Sequence, residues 1–438
     1  MKSPKKIFVC SECDAQTPKW LGRCPECGAW NSLVEETYTA PTAAAASHSL
    51  PRVAEHAAPL TDTEDADCIR TVTGIGELDR VLGGGLVDGS VVLLAGEPGI
   101  GKSTLLMQLC GALGAEGKIL YVSGEESRPQ LKIRAKRLGT SGEGILLLTE
   151  TDLDTILTEY ERVKPDILIV DSIQTIYTDL VDASAGSVSQ IRECASTLLK
   201  YAKGSGTPIF IIGHITKEGT IAGPKVLEHI VDVVLQFEGD NNNSYRILRG
   251  IKNRFGATHE IGVFEMLQGG LRSVENPSEI LLSHYEEPLS GIAVGASVDG
   301  VRPYLIEVQA LVTNAAYGTP QRNATGYDSR RMSMLLAVLE KRVGMKMFQK
   351  DVFLNFAGGF KISDTGMDLA VVAAIVSSYY DRALMEGVCC AGEIGLSGEV
   401  RPAPRTEQRI AEAARLGFKR IVVSSFVEKS IKKHKDIE

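Results

Sequence analysis

Gly96-Glu97-Pro98-Gly99-Ile100-Gly101-Lys102-Ser103 sits between an apolar run at 91–95 and a helical stretch at 104–113. A glycine-rich turn in that strand–loop–helix setting, closing on Lys-Ser, has the spacing of a phosphate loop. Glycines let successive backbone N–H groups point inward around a β-phosphate, Lys102 reaches the β- and γ-phosphates, and the Ser103 hydroxyl is placed to ligate magnesium. Thr104 opens the helix whose N-terminal dipole completes the cradle. A turn that merely joins strand to helix needs neither the lysine nor the full spacing. The sequence therefore predicts a site for a purine nucleoside triphosphate, ATP being the expected one, together with Mg2+.

Outward from the loop, apolar runs at 119–123, 145–148, 167–170, 208–213 and 231–237 alternate with helical segments. That pattern predicts a doubly wound α/β domain whose parallel strands are buried on both faces. Asp171 ends one run at the sheet edge where the phosphate loop opens, so it is expected to hold magnesium, directly or through water. A carboxylate that only caps the next turn is the alternative. The run Tyr121-Val-Ser-Gly-Glu125-Glu126 ends another strand with two carboxylates, and ligands of open sheets lie beyond such strand ends. One of the two is the expected base that orients and polarises the attacking water, Glu125 being preferred; the other is then a favourable charge at a helix N-terminus.

His214 follows the run at 208–213. It is a candidate sensor of the γ-phosphate that passes the nucleotide state into the glycine-punctuated stretch ending at Lys225; a surface histidine with no role is the alternative. A second polar stretch, 184–192, reads as a loop on the same side of the sheet. Lys252-Asn253-Arg254-Phe255-Gly256 follows a strand-like 245–249 and sets two cations around a turn, as solvated hairpin charges would also be.

Cys10-Ser-Glu-Cys13 and Cys24-Pro-Glu-Cys27 are two C-x2-C knuckles separated by residues 14–23. Four thiolates brought together this way make a tetrahedral zinc site with no position open to water, hence a structural one. A segment of about 36 residues cannot bury enough surface to fold unaided, so metal binding is expected to supply most of its folding free energy. Between the knuckles, Lys19, Trp20, Leu21, Gly22 and Arg23 form a basic, aromatic patch suited to docking on a strand or on another protein, or else a solvated loop. Residues 37–66, with an alanine run and three prolines, read as a flexible linker.

With 438 residues, 44% of them hydrophobic, the chain can fill two ordinary cores beside that small module. The expected organisation is a zinc module at 1–36, the linker at 37–66, an ATPase domain at 67–275 and a second domain at 276–438. A formal net charge of −8 disfavours a protein coated in nucleic acid while leaving room for local basic loops. No apolar stretch approaches the roughly 18 residues needed to span a bilayer, and the N-terminus runs into cysteines rather than an apolar signal core. A cytoplasmic protein with no membrane partner is expected, and the five scattered cysteines are expected to stay reduced.

From about Tyr285 the pattern changes to strands at 292–298 and 304–312, then helices at 330–342 and 367–380. Lys341, Arg342, Lys346 and Lys350 form one basic group, and 429–435 another that reads as a solvated face. Asn323, Arg330 and Arg331, assigned to one helix, are the better DNA candidates in this half. The chain stops at Glu438 soon after a strand-like 421–424, so a few native residues are expected beyond it.

The four-cysteine module, the phosphate loop, the Lys252–Gly256 pentapeptide and the C-terminal segment occur in the order found in the bacterial recombination and repair ATPases of the RadA (Sms) family, which the chain resembles over essentially its whole length. The resemblance implies a RecA-like P-loop core, mainly a parallel sheet flanked by helices, and a C-terminal α+β Lon-protease-like domain. It further implies a homo-hexameric ring that binds single-stranded or branched DNA, with the recombinase RecA as a candidate partner. Such a ring uses ATP to extend or branch-migrate intermediates of homologous recombination as a helicase-like motor. By position, Lys102, Ser103 and Asp171 become ATP and magnesium residues and Glu125 the hydrolytic base. Lys252 and Arg254 would reach across the subunit interface to the transferring phosphoryl group, and 184–192 and 214–225 would line the channel and touch DNA phosphates.

In the Lon comparison Asp368 falls on the nucleophilic serine and Glu407 on the catalytic lysine. Two carboxylates supply neither a hydroxyl nor the amine that removes its proton, so a scaffold is expected rather than a protease. Two other readings stand beside the DNA-dependent motor: a RecA-like regulatory ATPase acting through protein partners of the zinc module, and a Lon-like ATP-dependent protease, against which position 368 argues.

Overall fold

Along the strand Val91–Gly96 every residue is buried, and alternate side chains enter different cores. Val91 and Leu93 join one apolar cluster with Leu120, Val122, Leu168, Val170, Ile209 and Ile211. Val92 and Leu94 join another with Tyr121, Ile169, Phe210 and Ile212. A strand covered on both faces needs no polar alternation, which is why these segments read as continuous apolar runs.

The structure is a computed structural model that describes residues 5–10, 16–26, 28–38, 70–115, 117–214, 225–239, 244–258, 260–283, 285, 287–315, 319–427 and 436–438. Strands β1 (Lys5–Cys10), β2 (Gln16–Thr17) and β3 (Leu33–Tyr38) make a small antiparallel sheet in the order β2-β1-β3. A hairpin, β4 (Arg70–Thr71) with β5 (Leu86–Val87), encloses α1 (Gly76–Leu82). Then follow β6 (Val91–Gly96), α2 (Lys102–Leu113), β7 (Ile119–Ser123), α3 (Arg128–Arg137), β8 (Ile145–Leu148), α4 (Leu153–Val163), β9 (Ile167–Asp171), α5 (Val188–Ser205), β10 (Ile209–His214) and α6 (Lys225–Ile230). Strands β11 (Val233–Glu238), β12 (Tyr245–Asn253), β13 (Ile261–Leu267) and β14 (Gly270–Ser273) complete this unit.

Among the described residues the sheet has nine strands in the order β14-β13-β12-β11-β6-β10-β9-β7-β8. From β11 to β8 the neighbours run parallel, and β12 turns back antiparallel to β11. Parallel strands bring their C-terminal ends to one edge. There Gly96, Ser123, Asp171 and His214 emerge together.

The second unit begins at Val274. It contains α7 (Pro277–Leu281), β15 (Ile292–Asp299), β16 (Arg302–Asn314), β17 (Arg322–Thr325), α8 (Ser329–Val338), β18 (Lys350–Phe356), α9 (Asp368–Tyr380), β19 (Val388–Ala391), β20 (Glu393–Ile394), β21 (Val400–Arg401), α10 (Thr406–Arg415) and β22 (Arg420–Val423). A mixed sheet in the order β17-β18-β16-β15-β19-β22 carries α9 and α10 against β15 and β16. Among the described residues no helix is long and apolar enough to cross a membrane.

Three sequence readings change. The polar stretch 184–192 is a loop only as far as Ser187, which caps α5 by accepting from the Gln190 backbone N–H. Gln190 itself is buried; its amide donates to the carbonyls of Thr178, Val181 and Ala183, so it tethers the preceding turn and is withdrawn from any channel. Asn323 lies on β17, and the expected helix at 330–342 is an α-helix only to Val338, then a π-helical turn over Leu339–Val343 closed by Gly344 at positive φ. The strand expected at 245–249 runs on to Asn253 as β12, so Lys252, the first of the two cations flanking the turn, stands on that strand.

Candidate functional site

Residues 97–101 connect β6 to α2, and two backbone positions require glycine. Gly99 has φ +78°, and Gly101 has φ +123° with Met266 Cε only 2.9 Å from where a Cβ would stand. The turn wraps the Lys102 side chain, whose Nζ donates to the carbonyls of Gly96 at 2.8 Å and Glu97 at 2.9 Å. Burial lowers its pKa to about 8, opposed by the negative fields of Asp171 and Glu125. A cation held by two carbonyls and short of a counter-ion is ready to exchange them for phosphate oxygens.

Asp171, at the end of β9, accepts a 2.5 Å hydrogen bond from the Tyr121 hydroxyl on β7, and the Ser103 hydroxyl lies close enough to favour its charged form. Burial raises its pKa, and those two donors act against the rise. A hydroxyl and a carboxylate side by side beyond the phosphate loop are hard oxygen donors of the kind magnesium takes, so Ser103 and Asp171 fit that ion. The sequence reading missed Tyr121. A phenol inside an otherwise aliphatic buried strand must find a partner for its hydroxyl, and that was the available signal.

The two carboxylates after β7 separate. Glu126 pairs with Arg134 of α3 at 2.7 Å. Glu125 Oε1 accepts from the Ser172 hydroxyl and lies 3.0 Å from His214 Nε2. The hydrogen bond from His214, then that from Ser172, hold the Glu125 carboxyl down at about 2 against the opposing effect of partial burial. Glu125 also shares a field with Lys102 and Asp171. Geometry thus brings Glu125, not Glu126, to the phosphate loop. His214 is drawn to that same carboxylate, and its Nδ1 is buried with no hydrogen-bond partner among the described residues. Residues 215–224, the rest of the stretch it leads into, lie outside the described residues.

Lys252 and Arg254 are elsewhere. Asn253 pairs with Val233, and Val233 with Val92, so the pentapeptide stands by the first residues of β6 while the phosphate loop leaves its last. Five residues of strand, about 16 Å, separate the two ends. Lys252 Nζ donates at 2.7 Å to the carbonyls of Glu228 and Val231; burial, then the field of Arg254, lowers its pKa. Arg254 reaches Asp232 at 3.3 Å. The turn around them is braced by Asn253 Nδ2 donating to the Leu82 carbonyl, by Arg70 donating to that of Phe255, and by Lys203 over the Phe255 ring.

In the zinc module Cys10 ends β1 and pairs in register with Leu33. Cys10 and Cys24 are both buried in one small cluster with Leu33. Two thiols converging under so little apolar cover fit a shared metal ion, for which thiolate is a favoured ligand. Cys13 and Cys27 lie outside the described residues, and among the described residues no group of three or more candidate ligands forms.

In the second unit Asp368 is fully buried and committed. Arg331 grips it with two nitrogens, the Tyr327 hydroxyl and the Ile394 backbone N–H donate to it, and Glu393 lies beyond Arg331 at 3.6 Å. Arg331 is therefore a structural counter-ion and no longer a DNA candidate. Glu407 is exposed on the first turn of α10. Arg409, two residues on and so on the opposite face of α10, is instead the buried cation there, holding Asp364 at 2.6 Å and the Ala296 carbonyl. The basic tail at 429–435 lies outside the described residues.

Family models match residues 8–35 (rubredoxin metal binding domain), 71–145 (KaiC, an ATPase) and 312–426 (subunit ChlI of Mg-chelatase). The chain is 49% identical over 427 residues to the DNA repair protein RadA of Bacillus subtilis, covering 97% of this chain and 93% of that one. It is 47% identical to the DNA repair protein RadA of Listeria monocytogenes over 432 residues, 98% of this chain and 94% of the relative. With the protein of the same name from Pseudomonas aeruginosa it shares 47% over 423 residues, 97% and 93% of the two chains.

Proposed function

The chain belongs to the RadA family of DNA repair proteins, with a zinc ribbon, a RecA-like P-loop ATPase core and a Lon-like C-terminal segment, and from that premise we propose that it is a DNA-dependent ATPase working as a homo-hexameric ring on recombination intermediates. The observation that carries the reading is where Lys252 and Arg254 sit: at the opposite end of β6 from Lys102. They cannot serve the phosphates of their own subunit. A head-to-tail neighbour brings that end of one sheet to the phosphate-loop end of the next, and closure of such contacts makes a ring.

In this reading the backbone of 96–101, Lys102 and Thr104 bind the triphosphate, and Ser103 and Asp171 hold Mg2+, which supplies charge neutralisation across the phosphates. Glu125, kept ionised, orients the attacking water. Arg254 and Lys252 of the neighbour stabilise the charge on the transferring phosphoryl group, an effect of about 10³–10⁵ in rate for arginine fingers in general. Arg254 is free to move: its side chain is 51% exposed, and Lys203 at 2.9 Å remains on Asp232 when it leaves. His214 links the base to the stretch 215–224, which this reading assigns to contact with single-stranded DNA phosphates.

ATP turnover measured with and without single-stranded DNA, alongside the sedimentation of the protein, tests the reading. Stimulation by DNA together with assembly supports it. A protein that stays monomeric with ATP and polynucleotide yet hydrolyses at full rate ends it, and assembly without DNA stimulation favours a regulatory ATPase instead.

A further inference from the structure

The zinc module carries both tryptophans of the chain, and both are on its surface: Trp20 is 55% and Trp30 73% exposed. Exposing two indoles costs hydrophobic free energy that a core position would recover, so a surface pair marks contact with something else. The chain holds them in a defined arrangement. Arg23 and Trp30 face each other across an antiparallel bridge, closed by Cys24 N–H to the Ala29 carbonyl at 2.8 Å and Asn31 N–H to that of Gly22 at 2.9 Å. The Arg23 guanidinium lies 5.8 Å from the centroid of the Trp30 ring, fixed by its Nε donating to the Gly28 carbonyl at 2.9 Å. Gly22 forms the floor between the rings: a Cβ there would be 3.9 Å from Trp20 Cη2 and 3.9 Å from Trp30 Cζ3.

We propose that Trp20 and Trp30, converging over Gly22 and flanked by Lys19 and Arg23, are a base-stacking platform for single-stranded nucleic acid. Charge favours this occupant: residues 16–30, which span both indoles, contain the cations Lys19 and Arg23 against the single carboxylate of Glu26, in a chain whose net charge is −8. Flat aromatic faces accept any base, cations beside them take the phosphates, and a site made of these parts grips single strands without reading sequence. A glycine floor leaves room for a ring to slide between the indoles. The inference rests on the proposed action on DNA and adds a second contact point, outside the ATPase core.

Because the chain has two tryptophans, both here, tryptophan emission of the zinc-loaded protein, excited beyond the absorption of its twelve tyrosines, reports on this platform alone. Oligo(dT) is titrated while a fluorophore on the oligonucleotide reports binding by anisotropy. The expected result is quenching of tryptophan emission that follows the anisotropy curve. Trp30→Ala should weaken binding about fivefold or more, the loss of one stacked base, whereas Trp30→Phe should retain most of it, both with unchanged zinc content. A rise in anisotropy with no change in emission, or a Trp30→Ala protein that binds as well as the parent, overturns the platform and leaves the motor reading standing. Quenching by a protein partner but not by oligo(dT) also overturns it. No anisotropy change at all removes the DNA reading on which it rests.

Discussion

Arg254 and Asp232 form an ion pair in which the carboxylate is 2% exposed and the guanidinium 51%. The acid is a fixture of the fold, also accepting from the Val91 backbone N–H at 3.1 Å, while the cation is tethered at one end and free to turn outward. If Arg254 completes a neighbour's site, mixing Lys102→Ala subunits with Arg254→Ala subunits restores part of the hydrolysis that each lacks alone. The mixture pairs an intact loop with an intact finger at some interfaces. No recovery at any ratio excludes action in trans.

Asp232 itself behaves differently from its partner. Replacing it by Ala leaves Lys203 and Arg254 without their shared acid and Val91 without an acceptor, and removing one member of a buried pair costs about 3–5 kcal/mol. Since both cations are half exposed and can turn to water, a loss near the low end is expected in chemical denaturation. Arg254→Ala should cost far less, and equal losses would contradict the asymmetry.

Tyr121→Phe tests the support beneath the magnesium residue. Its hydroxyl lowers the Asp171 pKa against the rise caused by burial, so its removal moves that pKa further up. A carboxyl protonated over more of the pH range should raise the Mg2+ concentration needed for half-maximal ATPase activity several-fold and move the acid limb of the rate profile to higher pH, with activity recovering at saturating Mg2+. An unchanged Mg2+ requirement would show that Ser103 suffices to orient Asp171.

The Glu125 carboxyl is held down at about 2, first by the His214 hydrogen bond. A depressed carboxyl stabilises the fold above its unfolded pKa of about 4.3 and loses that contribution as pH falls through the folded value. The melting-temperature gap between parent and Glu125→Gln should therefore be widest above about pH 4.3 and close as the solution is acidified toward pH 2. Its size will be modest because the side chain is 40% exposed. His214→Ala should shrink the gap at every pH; a gap that widens in acid refutes the assignment.

Cys24→Ser, or zinc chelation, should release the metal and raise amide exchange over the first 36 or so residues only, while ATP turnover without DNA is preserved. Loss of the ATPase core on chelation would mean that the module and the core fold as one.

Much of this architecture was legible because its signals are local. The phosphate loop is eight consecutive residues, the C-x2-C knuckles are tight turns, and a strand buried on both faces declares itself as an apolar run. Even the end of β9 at a carboxylate follows from a few neighbouring residues. The choice between Glu125 and Glu126 was not decided locally: Arg134, one helical stretch later, takes Glu126, and His214, 89 residues away, takes Glu125. Gln190 and Arg331 read as polar surface because nothing nearby in sequence announces that buried carbonyls and a buried Asp368 are waiting for them.

By itself the sequence determined the fold class, the phosphate-binding turn and the zinc ribbon with its paired C-x2-C spacing. Tertiary structure alone decided which acid faces the phosphate loop, that Tyr121 supports Asp171, and that Lys252 and Arg254 stand at the far end of their own sheet. The reason is physical. Turn geometry and strand burial depend on residues a few positions apart, whereas the order β11-β6-β10-β9-β7-β8 places strands side by side that the chain reaches only after long crossovers, and that order is set by packing of the whole sheet.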